Sequence, residues 1–239
     1  ETEVDLSRLS NSQVVAIIKI LNSSDSELRA ALIVALESLD ASASMAAIDA
    51  ALAPVLRSNQ STFLAVQQAI TGTVDGVSSY EIAFQAGVLR SVVPKLVQEG
   101  FPIAVAEFSQ VRAIAMARPF QGRLLGEWMA GIEADRAAAI RDAVRSGIVD
   151  GRTTPEIVRQ IMGTKAQNYT DGILQKPRRE VEAVVRSAVS STAEAASDKA
   201  FEANSDIISH VEWLSTLDSR TSTTCRIRDR LPYTLGTYK

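Results

Sequence analysis

His210 and Cys225 are the only imidazole and the only thiol in the chain. A tetrahedral zinc site would therefore need carboxylates or a second molecule to complete its four ligands. A Cys–His nucleophilic pair would further require an orienting third group and an oxyanion site, and the sequence offers neither; Cys225 reads more simply as a small packed thiol. Asp218 and Arg220 invite an acid/base or phosphate reading. Two such residues on one tight bend more often hold the bend itself by local polar bonding. Glu133 with Asp135, and Glu180 with Glu182, are separated by two on helices, so they face different directions and make no catalytic pair. Neither G-x-x-x-x-G-K-[ST] nor G-x-G-x-x-G occurs. The basic residues form two groups: Lys176, Arg178 and Arg179 at a helix start, and Arg226, Arg228 and Arg230 near the end. Both are candidate DNA contacts, weighed against ordinary solvated charge. Trp128 and Trp213 lack interleaved aromatics and cations and read as core anchors rather than stacking platforms.

The elements that must position these residues fall in two parts. Up to residue 117 the chain reads as amphipathic helices rich in alanine. Ser10 or Asn11 is expected to cap a helix carrying Val14, Ile17, Ile18 and Leu21, with Asn22-Ser23-Ser24 ending it and capping a second that runs to about Leu39. Further helices are expected over 43–57, 60–71, 79–93 and 102–117, with Pro54 kinking or dividing one. A bundle and a set of extended arms that pack their apolar stripes on another chain share this pattern. From 118 onward a long helix is expected from about Gln121 to Ser146, closed by Gly147 to Gly151. Thr153 or Thr154, Pro155 and Glu156 then form a strong helix start, and that helix stops at Gly163. A helix from Pro177 to Phe201 follows, closed by Asn204-Ser205-Asp206. Val211, Trp213 and Ser215 then alternate with Glu212, Leu214 and Thr216 as in a short strand. Asp218 and Ser219 are expected to bond backbone N–H groups one or two residues on.

Composition bounds the rest. The 239 residues are 46% hydrophobic and 22% charged, enough to bury a core. The longest uncharged interval, Ser58 to Val74, is broken by Asn, Gln, Ser and Thr, so no membrane span is expected. One cysteine permits no internal disulfide. The formal charge of −3 divides unevenly: residues 1–111 carry 6 Lys+Arg against 12 Asp+Glu, and residues 112–239 carry 19 against 16. Neither part has the strongly basic balance of a dedicated nucleic-acid binder.

Residues 118–239 resemble the phage head morphogenesis family, the Mu F-like minor head proteins. The likeness is carried by Trp213, Ser215-Thr216-Leu217-Asp218, Arg220-Thr221, Cys225, Arg228-Asp229 and Tyr233, and upstream by FQGRLLGEW (120–128), DGRTTPEIVRQIMGT (150–164) and RREVEAVVRSAVSSTAEAASDKAFEANSD (178–206). Where the family has Asp-Gly this chain has Asp229-Arg230, so a turn needing positive φ must be made differently or be absent. The family pattern continues into a Pro-rich His-x-x-Cys-Arg segment, and the chain reads as the ordered part of a longer or processed polypeptide. Cys225 would then join a metal site or disulfide only with those downstream residues.

The expectation is a mainly α chain: an N-terminal helical bundle or extended arms over 1–117, then a Mu F-like region over 118–239 with long helices and the start of a small α+β module. The resemblance implies a non-enzymatic minor head protein without cofactor, held inside the capsid near the portal vertex after assembly in the host cytoplasm. The implied partner is the portal protein, with major capsid or scaffolding protein and packaged DNA as further candidates. Trp213, Asp218, Arg220, Thr221 and Cys225 would be structural framework. The rival readings are a DNA-binding ejection protein and the leading part of a toxin- or nuclease-type enzyme with its catalytic domain beyond residue 239.

Overall fold

In a computed structural model, which describes residues 2–40, 42–120, 122–219 and 221–236, the chain is mainly helical. The elements are α1 (Thr2–Glu37), α2 (Met45–Val92), α3 (Lys95–Gly100), α4 (Phe108–Ala117), α5 (Leu125–Val149), α6 (Thr154–Met162), α7 (Gln175–Ala203), β1 (His210–Glu212), α8 (Thr223–Arg228) and β2 (Pro232–Thr234), with a single 3₁₀ turn at Lys165–Gln167. Two compact units emerge, each built from two stretches of chain: Glu1–Val74 with Met116–Ser191, and Asp75–Ala115 with Thr192–Lys239. The helices α2 and α7 contribute to both.

Three expected breaks, at Asn22-Ser23-Ser24, between 57 and 60 and between 71 and 79, do not occur. Helix α1 runs through Ser10, Asn11 and Asn22-Ser23-Ser24 without interruption. Of the residues read as caps, Ser24 bonds instead to Thr62 on α2, and hydroxyls beside them bond back into their own helix: Ser12 Oγ donates to the Leu9 carbonyl at 2.8 Å and Ser26 Oγ to that of Ser23 at 2.6 Å. Helix α2 likewise continues through Pro54, Gly72 and Gly76 for 48 residues. Leu52 and Val55 beside the proline, and Ile70, Val74 and Val77 around the glycines, are almost fully buried. Packing along that stripe outweighs a local cost of roughly 1 kcal/mol per glycine and roughly 3 for proline. The expected helix at 102–117 begins later, at Phe108.

The core of the first unit joins Leu28, Leu32 and Leu36 of α1, Ile48, Leu52 and Val55 of α2, Ile140 and Val144 of α5, and Ile157 and Ile161 of α6. Helix α5 closes within Gly147 to Gly151 as expected, with Gly147 itself still inside the helix. A Cβ there would come within 2.5 Å of Ile157 Cγ1, so glycine lets α5 and α6 approach closely. The helix ends at Val149, and Gly151, with φ of +67°, reverses the chain while the Arg152 N–H returns to the Gly147 carbonyl at 2.8 Å. The start of α6 is as the sequence expects: the Glu156 carboxylate accepts from the Thr153 N–H at 2.8 Å and from its hydroxyl at 2.7 Å.

Buried in this unit is an ionic triad. Arg136 and Asp25 are 1% and 2% exposed. Arg136 donates to Asp25 Oδ1 at 2.6 Å, and Arg178 pairs with Oδ2. Desolvation lowers the affinity of the Arg136 guanidinium for its proton, and the Asp25 charge restores part of it.

The second unit has a smaller apolar cluster, Ile82, Ala106, Val111 and Ala196. The Asn204 side chain fixes the extended segment before α4: its Oδ1 accepts from Ala104 N–H at 2.9 Å and its Nδ2 donates to the Ala104 carbonyl at 3.0 Å. Glu81 is 1% exposed, and its neighbour Gln85 donates to Ser197 Oγ at 2.9 Å.

Candidate functional site

The stretch singled out by its pattern, 211–233, forms a small corner in the second unit. Strands β1 and β2 pair antiparallel, with His210 opposite Thr234, Val211 opposite Tyr233 and Glu212 opposite Pro232. Alternation continues beyond the strand: Val211, Trp213 and Ser215 are half-buried, and Glu212, Leu214 and Thr216 are exposed. The regular strand is shorter than the alternation suggests, ending at Glu212, opposite Pro232.

Ser215 is the hub of the corner. Its hydroxyl accepts the Trp213 indole N–H at 2.9 Å and donates to the Cys225 carbonyl at 2.9 Å, while its amide donates to Asp229 Oδ1 at 2.8 Å. Backbone bonds close the far side: Trp213 N–H to the Leu231 carbonyl at 3.0 Å, and Arg230 N–H to the Trp213 carbonyl at 2.7 Å. Trp213 is thereby tied to residues 12 to 18 positions later, and the indole face is covered by the Arg228 guanidinium at 5.3 Å.

At the polar bend the Thr221 hydroxyl accepts the Asp218 N–H at 2.8 Å, donates to the Thr216 carbonyl and lies 3.3 Å from the Asp218 carboxylate; the amide two residues beyond Asp218, which its carboxylate is expected to bond, lies outside the described residues. A hydroxyl can do both at once, whereas an ionised carboxylate only accepts. Arg226 donates to the Asp218 carbonyl at 3.0 Å. Ser222 caps α8 by accepting the Cys225 N–H at 3.2 Å. Arg220 lies outside the described residues.

At Asp229-Arg230 the positive-φ turn, expected to be made differently or to be absent, is present. Arg230 takes φ of +61°, a left-handed conformation uncommon for a residue with a Cβ. Its guanidinium lies 3.7 Å from Glu212 across the strand pair.

Trp213 and Trp128 are both half-buried and outside the apolar cores, which corrects the expectation of core anchors. The indole of Trp128 donates to the Phe120 carbonyl at 3.1 Å, with Arg123 over its ring at 5.0 Å. Each ring closes a peripheral loop, where a flat apolar body with one N–H fits better than an aliphatic side chain.

Cys225 is half-buried and unpaired. His210 contacts the Ser209 hydroxyl at 3.0 Å. Among the described residues no three His, Cys, Asp or Glu side chains lie close enough together to hold a metal ion. Of the basic residues, Lys176, Arg178 and Arg179 belong to the first unit and Arg226, Arg228 and Arg230 to the second. Arg178 turns inward to Asp25, whereas Lys176 remains exposed beside Glu180 at 3.6 Å.

No protein-family model, curated protein or solved structure matches this chain. Among the described residues no helix is long and apolar enough to cross a membrane. Sequence reasoning missed Asp25 and Arg136, although a signal exists. Asp25 stands in the stripe Leu21, Asp25, Leu28, Leu32, and Arg136 in Met129, Ile132, Arg136, Ile140. A charge in core register at helical spacing announces a buried partner.

Proposed function

We propose that this chain is a minor head protein of a tailed bacteriophage, carried inside the capsid at the portal vertex and acting structurally rather than catalytically. The reading rests on the resemblance of residues 118–239. The observation that carries it is the Ser215 hub: Trp213, Cys225 and Asp229, separate letters of the motif, are joined through one side chain and its amide. Bonding of this kind gives the Trp213 and Asp229 side chains a framework role, while Cys225 enters through its backbone carbonyl.

In this reading the partner is the portal. Leu214, Leu217 and Ile227, which the framework leaves 64–71% exposed, supply apolar contact area on the corner, and exposed apolar positions along the helices supply more. DNA contact by the basic residues would be a secondary, salt-sensitive property. The reading is tested by treating intact heads with protease from outside and identifying the surviving proteins by mass spectrometry. The chain is expected to be protected until the heads are opened. Digestion from intact heads, or absence from purified heads, would overturn the assignment.

A further inference from the structure

The first unit contains a cleft that the head-protein reading does not use. It has a volume of about 610 Å³ and is formed by one face of α1, the end of α6, the 163–172 connection and the start of α7. Its lining includes Arg29, Arg159, Lys165 and Arg178 against a single carboxylate, Asp25. That carboxylate is already spent, with one oxygen on Arg136 and the other on Arg178. Arg29 and Lys165 make no ion pair with a described residue, and Arg178, with one guanidinium nitrogen on Asp25, lines the cleft beside them. Cationic charge therefore converges on the cleft in excess of the acceptors the protein provides.

The connection that forms its lip is held closed. Asp171 accepts from the Thr164 N–H at 2.7 Å and from its hydroxyl at 2.8 Å. The Ile173 and Leu174 amides return to the Gln160 and Ile161 carbonyls, each at 3.2 Å. Gly172 packs so tightly on Met162 and Gly163 that a Cβ would lie 2.3 Å from the Gly163 nitrogen. Within this closed loop Asn168 and Tyr169 both take positive φ, +50° and +59°. For a tyrosine that backbone is an outlier, and its consequence is an aromatic ring 47% exposed at the edge of the cationic cleft.

We propose that this cleft binds the phosphate of a mononucleotide-sized ligand, with Arg29, Lys165 and Arg178 holding the phosphate oxygens and Tyr169 offering its ring to the base. The volume falls in the range of small-ligand sites, about 300–1,000 Å³. Guanidinium groups match phosphate oxygens in a forked geometry. A duplex presents phosphates along a line and calls for a stripe of cations, whereas these converge on one concavity. An aromatic face next to the phosphate site accepts any base.

The test is isothermal titration of the whole chain with adenosine 5′-monophosphate, adenosine, inorganic phosphate and a single-stranded 12-mer. The wild type is compared with an R29Q/K165Q double variant and with Y169A, whose folding is checked by circular dichroism. The proposal expects saturable binding of the mononucleotide and none of adenosine. It expects at least a roughly tenfold loss in R29Q/K165Q, as removal of charge-assisted bonds implies, and a smaller loss in Y169A. Arg29, Lys165 and Tyr169 are all exposed and outside the buried core, so these variants are expected to fold. Inorganic phosphate binding as tightly as the mononucleotide would overturn the role of Tyr169. Absence of mononucleotide binding, binding unchanged in R29Q/K165Q, or binding of the oligomer alone would overturn the site. None of these results bears on the portal assignment, so the two readings fail separately.

Discussion

The Arg230 amide donates to the Trp213 carbonyl at 2.7 Å from a backbone at φ +61°. The bond that closes the tryptophan corner is thus made by a residue in a conformation that disfavours it. An L-residue in this region costs about 1–2 kcal/mol, most of which glycine avoids, while the extra freedom of glycine in the unfolded chain returns about 0.4–1. The Glu212 pair lost with the side chain is exposed and adds little. Arg230→Gly should therefore raise the local stability of the corner by up to about 1 kcal/mol, and Arg230→Val, β-branched, should lower it. Hydrogen exchange at the Trp213 amide measures both, with slower exchange expected in the glycine variant and faster exchange in the valine variant.

Asp25 neutralises two guanidinium groups, those of Arg136 and Arg178. Its removal leaves Arg136, 1% exposed, as an uncompensated buried charge, at a cost of about 3–5 kcal/mol. Asp25→Ala should lower the urea midpoint of the first unit accordingly. The triple variant D25L/R136M/R178M, which replaces the whole triad with apolar volume, should recover most of the loss, and a triple variant no better than D25A is the contrary result.

Gly147→Ala sets two effects against each other. Alanine gains about 1 kcal/mol of helix propensity, but its methyl would lie 2.5 and 2.7 Å from Ile157 Cγ1 and Cδ1, and overpacking of that kind costs about 1–3 kcal/mol. The net expectation is destabilisation by about 1 kcal/mol, read as a lower thermal midpoint. Gly147→Ala combined with Ile157→Val should recover part of it.

Glu81 is buried in the second unit, and desolvation raises its pKa above the usual carboxylate value, partly offset by the hydrogen bond from Gln85. In the window between its unfolded and its raised folded pKa the native state holds the proton more tightly. The contribution of this group to stability is therefore present at low pH and is lost as pH rises through that window. Glu81→Gln should be more stable than the wild type at neutral pH and should lack this fall. Denaturant midpoints of the two proteins between pH 4 and 8 give the comparison; parallel profiles would show that burial does not control this carboxyl.

What the sequence makes legible follows the range of the interaction. The start of α6 is readable because Thr153, Pro155 and Glu156 act within one turn, and the alternation over 211–216 is readable because burial on one side of an extended chain has period two. The continuity of α1 and α2 is not, because Asn22-Ser23-Ser24, Pro54 and Gly72 are local break signals overridden by packing against distant helices. The Ser215 hub is half legible. Its residue types stand out, but its partners Cys225 and Asp229 are 10 and 14 positions away, and nothing in the local pattern fixes that pairing. The share of Thr221 in the bend is equally hidden, since Thr221 and Asp218 are both turn-forming residues and the sequence pattern does not single out the threonine hydroxyl.

The proposal that the chain is a portal-associated structural protein is tested most directly by co-expressing it with the portal protein and passing the mixture over a sizing column with light scattering at about 0.15 M and about 1 M NaCl. Apolar contact area is insensitive to screening, whereas phosphate-like or surface ionic contacts weaken steeply with salt. The account predicts a single co-eluting complex at both concentrations, reduced by serine substitutions at Leu214 and Ile227. Two well-folded proteins eluting separately at both salt concentrations would contradict it.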